Sequence, residues 1–96
     1  MSAGRRVGAM VLHAADDVAV LLAPVAAGDA VVTLGAREGI VLRAAAAMPA
    51  WHKLALHSLP AGADVRKYGE VIGRLDAPVQ AGDHVHVHNL KSRRGH

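Results

Sequence analysis

Residues 84 to 89 read His84-Val85-His86-Val87-His88-Asn89. Along a β-strand the side chains alternate, so the three histidines share one face and the two valines turn toward a core. Imidazole titrates near neutral pH, binds metals and moves protons. Three uses of such a face are open. Two rings of an x-His-x-His strand converge on one side and suit a divalent metal. The same rings suit substrate or acid–base contact, and they also suit an inert surface of hydrogen-bonded imidazoles. A full metal site needs three or four ligands. Asp83 falls on the opposite face by alternation, and no other residue completes a site.

Two further segments could do chemistry. In Trp51-His52-Lys53-Leu54-Ala55-Leu56-His57 a basic pair stands at a strand start, where it could attract a carboxylate or phosphate. Lys53 could equally be solvated, and His57 is placed to cap the strand end. In Arg66-Lys67-Tyr68-Gly69 an ammonium and a phenol could bind or transfer a proton. The plainer alternative is a loop with a half-buried tyrosine. A paired-carboxylate motif, a Gly-x-Ser-x-Gly elbow and a phosphate loop are all absent. If the chain serves an enzyme, it is therefore expected to contribute a fragment of a catalytic site rather than a complete one.

The elements that must carry these residues are short. Three segments share one turn pattern: Val25-Ala26-Ala27-Gly28-Asp29, Leu59-Pro60-Ala61-Gly62-Ala63 and Val79-Gln80-Ala81-Gly82-Asp83. In each, glycine supplies a positive φ and a strand follows. The unequal spacing argues against a solenoid. Strands are expected at Val7 to His13, Val18 to Leu22, Val31 to Leu34, Ile40 to Ala44, Lys53 to His57, Val71 to Leu75 and His84 to Asn89. Gly35 and Gly39 suggest a hairpin between the third and fourth. Four alanines at Ala44 to Ala47 favour helix by propensity, but Pro49 and Gly39 bracket them, so an extended strand is expected. Many short strands with frequent turns predict a small all-β pseudobarrel.

Composition agrees. Ninety-six residues make one domain with a small core. Apolar residues are 52% but aromatics only 2%, which suits a thin Val, Leu and Ala core. With no cysteine there is neither a disulfide framework nor a thiolate zinc site, which fits the cytoplasm. No apolar run is long enough for a membrane helix, and Asp16 and Asp17 interrupt the first apolar stretch too soon for a signal peptide. The net charge of +3 is concentrated at Arg5, Arg6, Lys91, Arg93 and Arg94. The interior has no basic stripe with interleaved aromatics, so nucleic acid is not an expected partner.

Taken in order, Trp51-His52-Lys53-Leu54-Ala55-Leu56, Leu59-Pro60-Ala61-Gly62, Lys67-Tyr68-Gly69, Ile72-Gly73 and Ala81-Gly82-Asp83-His84-Val85-His86-Val87-His88-Asn89 resemble the SAF domain of the altronate and galactarate dehydratases and of the alpha subunit of sulfolactate sulfo-lyase. The stretch His13 to Gly28 resembles the start of that domain. The resemblance implies a β-clip fold over residues 10–91, with 1–9 an N-terminal extension and 92–96 a basic tail. It implies the small subunit of a two-subunit hydro-lyase, inactive alone, working with a large catalytic subunit. Such enzymes take water from a sugar acid to give a 2-keto-3-deoxy acid with a divalent metal, iron or manganese, here held mainly by the partner. The motif positions are His52, Lys67, Tyr68, His86, His88 and Asn89. His86 and His88 carry the implied catalytic and metal roles; His52, Lys67, Tyr68 and Asn89 carry substrate binding. His84 is expected to be the least secure of the three histidines. Trp51 departs from the family pattern, where glycine commonly precedes His-Lys. The competing readings are a sulfite-eliminating lyase subunit and a stand-alone SAF carbohydrate-binding or accessory module, lone or homo-oligomeric.

Overall fold

The computed structural model describes residues 6–86 and 88–92, and among them every regular element is a strand. In chain order these are β1 (Arg6–Val11), β2 (Val18–Leu21), β3 (Ala30–Gly35), β4 (Val41–Arg43), β5 (Lys53–Ala55), β6 (Asp64–Lys67), β7 (Glu70–Leu75), β8 (His84–Val85) and β9 (Leu90–Ser92). One sheet has the order β4-β3-β1-β2-β5-β8 and the other β6-β7-β9. β1 pairs antiparallel with β2 and parallel with β3, so the chain leaving β2 passes from one side of β1 to the other before β3 begins. β3 and β4 form the expected hairpin.

β2 and β5 are a wall between two small cores. Alternation turns Ala19, Leu21 and Leu54 toward Val7, Ala9, Val11, Val31 and Met48, and turns Val18 and Ala55 toward Val65, Leu75, Val79 and Val85. Two thin cores without phenylalanine are what a Val, Leu and Ala composition can fill.

The repeated turn occurs a fourth time. Gly28, Gly62 and Gly82 have φ of 87°, 86° and 91°, and Trp51, in Met48-Pro49-Ala50-Trp51-His52, has φ 73°. In all four the positive-φ residue donates its N–H to a neighbouring carbonyl: Gly28 to Ala44 (2.8 Å), Trp51 to Leu21 (2.7 Å), Gly62 to Leu75 (2.9 Å) and Gly82 to Ala55 (2.8 Å). The same neighbours donate back to the next residue, Ala44 to Asp29, Leu21 to His52, Leu75 to Ala63 and Ala55 to Asp83. The turns are also paired, through bridges Val25–Met48 and Leu59–Val79.

The four turns follow a rule of hydrogen-bond supply. Ala26 and Gln80 have an N–H, and the Asp29 and Asp83 carboxylates accept it, each at 2.8 Å. Pro49 and Pro60 occupy the equivalent position and have no N–H to satisfy. There the aspartate is replaced, by His52 and Ala63. Proline thus frees position 52 from a capping duty.

The β6–β7 hairpin is fastened by two aspartates that the sequence reading treated only as an interruption. Buried Asp16 accepts the backbone N–H of His13 (3.1 Å), Tyr68 (2.9 Å) and Gly69 (2.8 Å). Asp17 accepts from Arg66 N (2.8 Å) and pairs with His57 Nε2 (2.9 Å). His57 is therefore tied to this latch rather than only closing a strand.

Several expected strands are shorter or absent. The last stops at Val85, because Asn89 closes a turn: its Oδ1 accepts His86 N (3.0 Å) and its Nδ2 donates to His84 O (2.8 Å). The chain then reverses into β9 on the other sheet. Val87 lies outside the described residues, as do Arg5, Arg93 and Arg94. Ala44 to Ala47 is neither strand nor helix but a bend, since Ala44 and Ala45 bond to the turn backbones at Asp29 and Gly82. β4 spans only Val41–Arg43, and β5 ends at Ala55, where Leu56 N turns to Asp17 O (2.9 Å). Arg66 and Lys67 belong to strand β6 rather than a loop, and Tyr68-Gly69 form a two-residue turn at φ 62° and 77°.

Candidate functional site: a histidine cluster at the β5–β8 edge

His52 leaves the fourth turn directly into β5. β5 pairs with β8 so that Leu54 lies opposite His84 and Lys53 opposite Val85. Opposed residues share a face, and alternation puts His52 on the face of Leu54. One further step of register sets His52 against His86. The rings meet accordingly. His52 Nδ1 and His84 Nε2 are 2.8 Å apart. The His52 and His86 rings stack at 4.3 Å between centroids, and those of His84 and His86 at 5.2 Å. His88 also reaches His84, with centroids 5.2 Å apart. His84, expected to matter least, is the hub.

The electrostatics follow from crowding. His84 is pushed down to about 4, by burial first and then by His52, His86, His88 and Lys53. His86 is lowered for the same reasons, burial leading. Neighbouring Lys53 is lowered by burial and then by Lys67 across the gap to β6. A short contact between two ring nitrogens requires one to donate and the other to accept, so one of them offers a lone pair. The result is that His84 and His86 favour the neutral form, beside two lysines. Among the described residues, no carboxylate is hydrogen-bonded or ion-paired to His52, Lys53, Lys67, His84 or His86.

One ring nitrogen from each of His52, His84 and His86 lies within 4.8 Å of the other two. Ligand nitrogens around a tetrahedral ion with metal–nitrogen bonds of about 2.1 Å are about 3.4 Å apart. The 4.8 Å span of the three nitrogens is wider than this, and the 2.8 Å His52 Nδ1–His84 Nε2 contact is a hydrogen bond whose proton an ion would displace.

The other motif residues sit around this patch. Lys67 adjoins it through Lys53. His88 is exposed, with its ring against His84. Asn89 is adjacent, but its amide brackets the backbone of the turn. Tyr68 is 70% exposed at the hairpin tip and makes no ring contact with the histidines among the described residues. His52 was missed as a partner of the histidine strand because the two are 32 residues apart. The signal was present in the fourth turn, hidden by tryptophan at the glycine position.

A fold of short strands with this edge cluster defines a small SAF-type β domain. A family model described as the altronate/galactarate dehydratase SAF domain matches residues 7–93, and the chain belongs to that family. It is similar to the (2R)-sulfolactate sulfo-lyase subunit alpha of Paracoccus pantotrophus, with 47% identity over 53 residues, covering 55% of this chain and 79% of the relative. The same subunit of Chromohalobacter salexigens is 46% identical over 48 residues, half of each chain (50% and 51%). The altronate dehydratase of Escherichia coli is 42% identical over 81 residues, which is 84% of this chain but 16% of that enzyme. Its relatives are therefore lyases, and the chain is enzyme-associated. No helix among the described residues is long and apolar enough to cross a membrane.

Proposed function

We propose that the chain is the small SAF subunit of a cytoplasmic hydro-lyase that removes water from a sugar acid of the altronate or galactarate type. In this reading it works with a separate large catalytic subunit and a divalent metal, iron or manganese. The observation that carries the reading is the patch of His52, His84 and His86 beside Lys53 and Lys67, where the lysines supply the positive charge and no carboxylate among the described residues is bonded to it. Such a patch suits an anionic substrate.

Dehydration breaks the α C–H bond and the β C–O bond; the resulting enol becomes the 2-keto-3-deoxy product. It needs a base for the α-proton, stabilisation of the enediolate and an acid for the departing hydroxide. A divalent ion supplies the Lewis acidity that polarises the carboxylate and α-hydroxyl. Lys53 and Lys67 hold the substrate carboxylate by charge. The neutral rings of His84 and His86 are poor proton donors at pH 7 but good lone-pair donors. His88, exposed beside them, is placed to exchange a proton with substrate.

The test is reconstitution. The chain and a large subunit are mixed with altronate or galactarate, and the keto acid is followed. Activity only in the mixture, lost in His86→Ala and His88→Ala, supports the reading; unchanged turnover in both variants removes it. A second reading has its own support: identity is higher to the separate sulfo-lyase alpha subunits, though over a shorter span. Sulfite release from sulfolactate by the mixture decides for that reading.

A further inference from the structure

We infer that this chain alone binds one divalent transition-metal ion, through the ring nitrogens of His52, His84 and His86. This replaces the shared His86–His88 pair expected from the sequence with a set contained in one subunit. The catalytic role of the ion rests on the lyase reading, but its binding is measured without substrate or partner, so the two ideas fail separately.

Three observations support the set. One ring nitrogen from each already lies within 4.8 Å of the other two, and His52 and His84 are in direct ring-nitrogen contact at 2.8 Å. His84 lies in β8, and His52 and His86 directly flank the paired strands β5 and β8, so the β5–β8 register brings the three backbones together. Asn89 also holds the turn carrying His86 from both sides, through His86 N and His84 O. Three imidazoles with no carboxylate select zinc, nickel, cobalt or copper-type borderline ions over magnesium or calcium. Three protein ligands leave a fourth position open, as in catalytic rather than structural sites. Lys53, whose charge acts on His84, favours an anion as a further ligand.

The experiment uses the full chain, freed of any histidine tag, titrated with Co²⁺ and followed by its visible absorption, with Zn²⁺ competition. One ion per chain is expected. His52→Ala and His84→Ala should each weaken binding by about 100-fold, while His57→Ala and His88→Ala change it less than about threefold. His52→Gln and His84→Asn serve as second variants, with circular dichroism confirming the fold. No binding by the folded chain overturns the inference. So does binding that survives loss of His52 or depends on His88.

Discussion

Trp51 holds φ 73° where the other three turns use glycine. A left-handed conformation costs a side-chain-bearing residue about 1–2 kcal/mol. The turn survives because its donor and acceptor are both engaged, by Leu21 O and Leu21 N. Trp51→Gly is therefore expected to leave stability within about 1 kcal/mol of the parent or slightly above it, while Trp51→Val should lose about 1–2 kcal/mol more, since a β-branched residue fits this region worst. Urea melts of the three proteins check the order. A second residue-scale expectation concerns acid. The unfolded chain takes up a proton on His84 near pH 6.5, but the folded chain holds it off until about 4. The unfolded state thus binds more protons in that window, so the metal-free protein should lose stability as pH falls from 6.5 toward 4 and be flat with respect to this group above 6.5. His84→Asn should reduce that slope in thermal melts; an unaltered slope would assign it elsewhere.

At the scale of elements, the β6–β7 hairpin hangs on Asp16. Its carboxylate serves three backbone donors, so Asp16→Ala strands three amides and should cost upwards of about 3 kcal/mol, read as a lower denaturation midpoint. Glycines of the same turn type should not be equivalent. A Cβ on Gly62 meets nothing nearby, whereas one on Gly82 overlaps the Arg43 carbonyl. Gly62→Ala is expected to cost about 1 kcal/mol and Gly82→Ala about 3 kcal/mol or more. These elements also mark what was legible beforehand. The strands and the glycine turns could be read because alternation and positive φ are local properties. The Asn89 turn, the Ala44–Ala47 bend and the Asp16 latch could not, because each depends on a partner distant in sequence or on a side chain that competes with the ladder. The site was half legible for the same reason: His84, His86 and His88 form a local pattern, but His52 joins them only through β5–β8 pairing.

The whole molecule has two thin cores separated by β2 and β5, and its histidine cluster sits at the edge of that same wall. An ion held there by β5 and β8 cross-links the first sheet at a strand pair only two to three residues long. A ligand that binds only the folded state stabilises it by about 2.7 kcal/mol at one hundred times its dissociation constant. For a domain of this size that corresponds to a rise in melting temperature on the order of 10–20 °C. Calorimetry with and without Zn²⁺ checks this, and His52→Ala should abolish most of the rise.

The proline rule of the four turns gives the molecule its own template for a blank. Where Pro49 and His52 stand in one turn, Gln80 and Asp83 stand in another, with the same backbone bonds. Pro49→Gln combined with His52→Asp copies a turn that the protein already makes, and so should remove His52 from the cluster while leaving the architecture intact. A fold that repeats one motif with and without a capping aspartate shows how position 52 is open to another side chain: proline removes the N–H that the aspartate would cap, and histidine can occupy the place.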